Sequence, residues 1–135
     1  MSDQKLKLLV VDDDEDIVLM MSDFLEVVEN SHLFSVTTSK SFDDAASIIS
    51  NLKPDVLITD ITLPGGGGLL LANSLRDINA GAFVVIMSGW NYTINNSEDT
   101  PKIDAYLKKP FEFDKFDELI TQIASSLNRL STLSK

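Results

Sequence analysis

The chain has 135 residues, a hydrophobic fraction of 44% and a formal net charge of −10. This length fits one domain with a normal core and is too short for two. A protein this acidic is repelled by nucleic-acid phosphates and by anionic membrane surfaces, so direct binding to either is not expected. It has no cysteine, no apolar run near the roughly 18 residues that span a membrane, and no signal peptide, so we expect a cytoplasmic protein.

The first half of the chain alternates strand and helix patterns. The apolar run in Leu6 to Val11 predicts a buried parallel strand, and five acidic residues, Asp12 to Asp16, follow it. Apolar residues at helical spacing then predict a helix, whose first turn suits negative charge. Phe34 to Thr38 is a predicted second strand. Ser41-Phe-Asp-Asp44 resembles a capping box and opens a helix that ends at about Leu52.

The stretch from Asp55 to Pro64 contains a short strand, Val56 to Ile58, that the sequence predicts to be buried on both faces. It leads to a carboxylate, Asp60. Four glycines, Gly65 to Gly68, follow, and we expect them to form an unusually mobile loop. No Lys-Ser or Lys-Thr pair comes after them, so a phosphate-binding loop is not indicated.

The second half continues the alternation. A helix is predicted from about Leu69 to Ile78, and further strands over Ala82 to Met87 and Ile103 to Leu107. Residues Asn91 to Pro101 lack apolar periodicity, and we expect a short, irregular or disordered helix there. Helical spacing predicts a last helix through Phe116, Ile120, Ile123, Leu127 and Leu130. The whole pattern predicts one α/β domain over residues 1–135, with its core at about 5–130, built as a doubly wound parallel sheet.

In such a sheet the polar residues that follow the strands meet at one edge. Strands one, three, four and five are followed or ended by Asp12 and Asp13, Asp60, Ser88, and Lys109-Pro110. Crowded carboxylates repel one another unless a cation lies among them, and hard oxygen ligands suit Mg²⁺. A lysine and a hydroxyl can hold phosphate oxygens, and an aspartate there can act as a nucleophile toward a phosphoryl group.

Four segments, in order, resemble the motifs of the response-regulator receiver domain family. They are Val10-Val-Asp-Asp13, Asp60-Ile-Thr-Leu-Pro64 with Gly68, Met87-Ser-Gly89, and Ala105-Tyr-Leu-Lys-Lys-Pro-Phe111. The resemblance covers nearly the whole chain. It implies a flavodoxin-like fold with strand order 2-1-3-4-5. It also implies a two-component signalling protein that accepts a phosphoryl group from a sensor histidine kinase or a histidine phosphotransferase.

The resemblance implies particular roles for the acidic residues. Asp60 would be the phosphoacceptor. Asp13, Asp60 and the backbone carbonyl of Thr62 would bind Mg²⁺, with Mn²⁺ as a substitute, and Asp12 would act through water. The spacing of the acidic run leaves an alternative open, in which Asp14 replaces Asp12.

The resemblance also implies the phosphoryl-binding and switch residues. Ser88 and Gly89 would contact the phosphoryl group, and Lys109 would pair with one of its oxygens. The Lys109-Pro110 peptide bond would be cis. Tyr106 would swing inward when Ser88 moves, and so change the face made by the helix after strand four, strand five and the last helix. A downstream protein or effector domain would bind that face, with the chain as a monomer or a phosphorylation-dependent dimer.

Trp90, two residues beyond Ser88, is a large ring near the expected phosphorylation site. Our hypothesis is that it screens the acyl phosphate from water and slows its loss. A Trp90→Ala variant that loses phosphate no faster than the unsubstituted protein would refute this.

Three other functions are weaker matches to the residues. A degenerate receiver that acts only as an interaction module is the main alternative, although no acceptor-site residue is missing. An aspartate-nucleophile phosphatase needs a second aspartate where Thr62 stands, and a flavodoxin needs a hydroxyl- and glycine-rich loop where the acidic run stands. We therefore expect a protein that catalyses only its own phosphorylation and dephosphorylation, either complete as a single domain or as the receiver of a longer protein.

Overall fold

A computed structural model describes residues 5–89 and 102–127 of the chain. Five parallel strands form its main sheet: β1 Leu6–Val11, β2 Phe34–Ser39, β3 Val56–Asp60, β4 Phe83–Gly89 and β5 Ala105–Lys109. Their spatial order is β2-β1-β3-β4-β5. This order confirms the flavodoxin-like, doubly wound sheet predicted from the sequence.

In the described ranges, three helices connect successive strands, and a fourth follows β5. They are α1 Glu15–Val27, α2 Phe42–Leu52, α3 Gly68–Ile78 and α4 Phe113–Ser126, with a 3₁₀ turn at Ser31–Leu33. The Ser41 hydroxyl accepts a hydrogen bond from the Asp44 backbone N–H at 3.2 Å, which confirms the predicted start of α2. At α1 the cap is Asp14, whose carboxylate accepts from the Asp16 N–H at 2.9 Å.

Both faces of the sheet are buried, which explains the unbroken apolar runs of its central strands. Leu8 and Val10 of β1 face a core layer under α1 and α4, whereas Leu9 and Val11 face a second layer under α2 and α3. Helices on two faces leave the strand ends as the place where polar side chains converge. Within the two described ranges, no helix is long and apolar enough to cross a membrane.

Four predicted strands have the wrong boundaries. The second runs to Ser39 rather than Thr38, and the third runs to Asp60 rather than Ile58. The fourth covers Phe83–Gly89 rather than Ala82 to Met87, and the fifth covers Ala105–Lys109 rather than Ile103 to Leu107. Their ladder pairs Val85 with Ala105 and continues to Gly89 with Lys109. Because a ladder is made by backbone groups, it extends past the apolar residues from which the strands were predicted.

The glycine segment has structure that the sequence did not indicate. Thr62–Leu63 pairs with Gly66–Gly67 in a small antiparallel hairpin, and α3 begins at Gly68 rather than Leu69. Gly65 turns the chain with a φ of +91°, a conformation that glycine adopts without the steric penalty of a side chain. The predicted mobility of this loop stays a prediction. Trp90 and the irregular helix predicted over 91–101 lie outside the described residues, as does the predicted helix end at Leu130.

Candidate functional site

The carboxyl ends of β1, β3, β4 and β5 bring the predicted site residues to one edge of the sheet. Asp12 follows β1, and Asp60 is the last residue of β3. In the ladders Asp60 lies opposite Met87, the neighbour of Ser88, and Gly89 lies opposite Lys109. The convergence expected from the sequence is therefore present in the fold.

Three carboxylates form the centre of this edge. Each of Asp12, Asp13 and Asp60 offers one oxygen, and these oxygens all lie within 4.8 Å of one another. Asp12 is buried, Asp60 is half-buried and Asp13 is exposed. A cluster of carboxylate oxygens with one side open to water has the donor chemistry that Mg²⁺ prefers, since this ion keeps several waters of its own.

Lys109 bridges two of these acids. Its Nζ lies 2.9 Å from Asp12 Oδ2 and 3.5 Å from Asp60 Oδ1. The Asp12 side chain is 0% exposed, so this ion pair compensates a carboxylate that water does not reach. The Lys109 ammonium group therefore lies close to Asp60, the predicted acceptor, while it pairs with Asp12.

Burial and neighbouring charges shift the pKa values of Asp60 and Lys109. Burial raises the pKa of Asp60 above its ordinary value of 3.8; the Lys109 ammonium opposes this rise and the Asp12 carboxylate adds to it. Burial alone would lower the pKa of Lys109, but its hydrogen bond and ion pair with Asp12, together with Asp60, raise it above 10.5. Lys109 therefore stays a cation at neutral pH.

Backbone contacts on both sides hold Asp12 in place. Its N–H donates to the Ser39 carbonyl at 3.1 Å, and its Oδ1 accepts from the Asp14 N–H at 2.9 Å. Asp14 itself caps α1 and does not belong to the acidic cluster. The alternative in which Asp14 replaces Asp12 is therefore wrong. The contribution of Ser39 was missed, because a backbone acceptor leaves no signal in the sequence.

The segment after Asp60 is tied to its neighbours through the backbone. The Ile61 N–H donates to the Met87 carbonyl at 3.0 Å, and the Gly68 N–H donates to the Ile61 carbonyl at 2.9 Å. The buried Thr59 hydroxyl donates to the Asp60 carbonyl at 2.9 Å. Thr62 lies opposite Gly67 in the hairpin. These bonds bind the end of β3, the hairpin and the start of α3 into one unit.

The remaining predicted residues surround this cluster at different depths. Ser88 is half-buried in β4, opposite Lys108 in the ladder. Tyr106 on β5 is exposed, with 53% of the residue accessible to solvent. The Lys109–Pro110 peptide bond is cis. The roles assigned to these residues, and to Gly89, rest on the resemblance and stay predictions.

The fold and the site define a flavodoxin-like α/β domain that carries an acidic, lysine-bridged cluster at the carboxyl edge of its sheet. The sequence model of the response regulator receiver domain matches residues 8–121. This chain therefore belongs to the receiver-domain family, as the motif resemblance indicated.

Relatives and solved structures agree with this assignment. The chain is 32% identical over 124 residues to protein PetR of Rhodobacter capsulatus, covering 91% of this chain and 49% of that protein. It is 30% identical over 129 residues to regulatory protein VanR of Enterococcus faecium, covering 95% and 52%. It is 28% identical over 118 residues to transcriptional regulatory protein MalR of Bacillus subtilis, covering 86% and 49%. The chain thus spans about half the length of these relatives.

Two solved structures share the fold at low sequence identity. A response regulator receiver domain protein from Clostridium thermocellum has a TM-score of 0.73 at 24% identity, covering 95% of this chain and 98% of that one. A CheY-like receiver domain protein from Methanospirillum hungatei has a TM-score of 0.74 at 20% identity, covering 93% and 98%.

Proposed function

We propose that this chain is a phosphoacceptor receiver that takes a phosphoryl group onto Asp60 from a sensor histidine kinase or a histidine phosphotransferase. The observation that supports this most directly is the convergence of Lys109 and three carboxylates, with Asp60 the half-buried member nearest the end of β3. The donor class follows from the family, since its members are response regulators.

The transfer is a displacement at phosphorus. An Asp60 carboxylate oxygen forms the new bond to phosphorus, while the bond between phosphorus and the histidine nitrogen of the donor breaks. The leaving imidazole keeps the electron pair and takes a proton from solvent. Lys109 stands 3.5 Å from Asp60 and supplies positive charge to an incoming phosphoryl oxygen, and Ser88 supplies a hydroxyl donor.

Asp13, Asp60 and the Thr62 carbonyl would hold the metal ion. Asp12, whose side chain is fully buried against Lys109, would contribute its negative charge rather than the contact through water that the resemblance implied. Mg²⁺, when bound, supplies positive charge that offsets both the carboxylates and the phosphoryl oxygens. The open, water-facing side at Asp13 leaves room for the waters that such an ion retains.

The phosphoryl group adds a charge of about −1.5 to −2 at the sheet edge. In this proposal Ser88 moves toward that charge and Tyr106 leaves its exposed position, which changes the surface around β5 and α4 that a downstream protein or effector domain binds. Modification of Asp60 is then a signal rather than a step in the turnover of another substrate. A cytoplasmic site of action fits such a phosphorelay.

The experiment that tests the proposal is intact-mass measurement after incubation with Mg²⁺ and a small phosphodonor such as acetyl phosphate. We expect the mass of one added phosphoryl group, lost in Asp60→Asn and when Mg²⁺ is chelated. Asp55→Asn is the matched control, because Asp55 precedes the same strand at its opposite end and should leave phosphorylation intact. If the unsubstituted chain gains no phosphoryl group, the interaction-module alternative is favoured instead.

A further inference from the structure

The second strand of the hairpin after Asp60, Gly66–Gly67, has no side chain with which to pack. The ring of Phe42, from the first turn of α2, lies against it instead. A Cβ built on Gly66 would be 2.6 Å from Cδ1 of this ring and 2.8 Å from both Cγ and Cε1. The ring therefore occupies the space that a side chain at position 66 would need.

The backbone at Gly66 does not itself require glycine. Among the glycines of the described segments only Gly65 has a positive φ, so a side chain at position 66 would meet no penalty from the local conformation. What excludes that side chain is Phe42. The large ring at position 42 and the absence of a side chain at position 66 therefore fit each other, although the two residues are far apart in the sequence.

Further contacts join Phe42 to the acceptor segment. Its backbone N–H donates to the Pro64 carbonyl at 3.4 Å, and its side chain packs on the core layer that contains the buried Leu63. In the hairpin Leu63 lies opposite Gly66, and Thr62 lies opposite Gly67. The Phe42 ring therefore lies against the Leu63–Gly66 pair of the hairpin, and the adjacent pair contains Thr62.

We propose that Phe42 is a positioning residue for the acceptor loop: its ring replaces the side chain that the glycines lack and holds the Thr62 carbonyl where a metal ion would use it. The metal part of this statement rests on the proposed function. The packing part does not. Phe42 contacts neither Asp60 nor the acidic cluster through any hydrogen bond or ion pair found in the described structure, so it would act only through the hairpin.

The first measurement is amide hydrogen exchange of residues 62–68, which reports local opening without any metal or phosphate. We expect Phe42→Ala to speed this exchange at least several-fold. Ile48→Ala is the matched control, because Ile48 is a half-buried residue of the same helix that packs on the same core layer. It should lower overall stability while leaving exchange of the hairpin slow.

The second measurement is rescue. Gly66→Met alone should disturb the loop, because the new side chain meets the Phe42 ring. In the Phe42→Ala background the same substitution should restore slow exchange, since the methionine fills the vacated space. A purely structural loss of core contacts at Phe42 would not be repaired by a side chain added to the loop.

The third measurement is Mg²⁺ binding by calorimetry. Groups that position metal ligands typically change affinity by roughly tenfold or more, and we expect about a tenfold loss in Phe42→Ala that Gly66→Met reverses. The inference is overturned if hairpin exchange is no faster in Phe42→Ala than in Ile48→Ala, or if the double variant matches Phe42→Ala. If no phosphoryl group is ever gained, the proposed function fails, while the exchange experiment still decides the role of Phe42.

Discussion

Replacing Gly68 with alanine would put a methyl group into a space that the acceptor segment already fills. The new Cβ would overlap the Asp60 carbonyl oxygen, and it would lie 3.0 Å from Thr59 Cγ2 and 3.1 Å from Thr59 Oγ1. All of these atoms belong to the end of β3. Relief of the overlap therefore requires α3 and the acceptor strand to move apart.

The cost can be estimated from the contacts that would change. Forced overpacking in a well-packed region costs about 1–3 kcal/mol. Separation also weakens the hydrogen bond from the Gly68 N–H to the Ile61 carbonyl, worth about 1 kcal/mol. The smaller entropy of unfolded alanine returns about 0.4–1 kcal/mol. The net loss in the free energy of unfolding is on the order of 2 kcal/mol.

Urea denaturation measures this loss. With a slope of about 1–3 kcal/mol per molar for a domain of this size, the midpoint should fall by roughly 1 M. Gly81→Ala is the control, because a Cβ there meets its nearest atom, Asn79 Oδ1, at an ordinary 3.8 Å. Mg²⁺ affinity should also fall in Gly68→Ala, since Asp60 is displaced, and stay unchanged in the control. A Gly68→Ala protein as stable as Gly81→Ala would refute the close-approach argument.

Two further predictions concern the charges at the site. Asp60→Asn should raise the free energy of unfolding at pH 7 in Mg²⁺-free buffer, because the neutral amide removes the cost of holding a charged carboxylate in a half-buried position. Burial raises the Asp60 pKa, so the stability of the unsubstituted protein falls as pH rises from 3.8 through the folded-state value, and the variant lacks this fall. Lys109→Met should lower stability by about 3 kcal/mol, because it leaves the buried Asp12 carboxylate without its cation. Burial lowers the Lys109 pKa, but the interaction with Asp12 raises it by more, so the folded-state pKa lies above 10.5. The stability that the Lys109–Asp12 ion pair contributes is therefore complete below pH 10.5 and is lost as pH rises through the folded-state pKa.

Thermal or urea unfolding followed across pH tests both predictions. Mg²⁺ should stabilise the unsubstituted protein more than Asp60→Asn, because a ligand stabilises only the state that binds it. Asp55→Asn serves as the carboxylate control. Equal pH profiles for Asp60→Asn and the unsubstituted protein would contradict the raised pKa, and a neutral effect of Lys109→Met would contradict the assigned ion pair.

The sequence predicted the fold well because the signals were local and strong. Both β1 and β3 contain an unbroken apolar run; Asp12 follows the first run directly, and Asp60 follows the second after Thr59. A strand buried on both faces is apolar at nearly every position, so such runs identify central parallel strands without knowledge of their partners. The same signal identified Asp60 as a residue delivered to the sheet edge.

Tertiary structure was needed where backbone pairing extends beyond the apolar residues. The predicted ends of β3, β4 and β5 each stopped two residues short, because polar residues follow the apolar run of each strand and only the ladders between neighbouring strands keep those residues in the sheet. The hairpin at Thr62 was not predicted for a related reason. Glycine carries no strand preference, so its pairing with Thr62 and Leu63 depends on what packs against it.

The stretch from Asp55 to Pro64 shows which features the sequence determined and which depended on the tertiary structure. By itself, the sequence determined that this stretch is a buried strand ending in a carboxylate, because burial on two faces restricts composition residue by residue. Only the tertiary structure decided that Asp12 rather than Asp14 faces Asp60, and that Phe42 packs on the glycines beyond it. Those facts depend on distances between segments far apart in the chain, and no local pattern of residues encodes such distances.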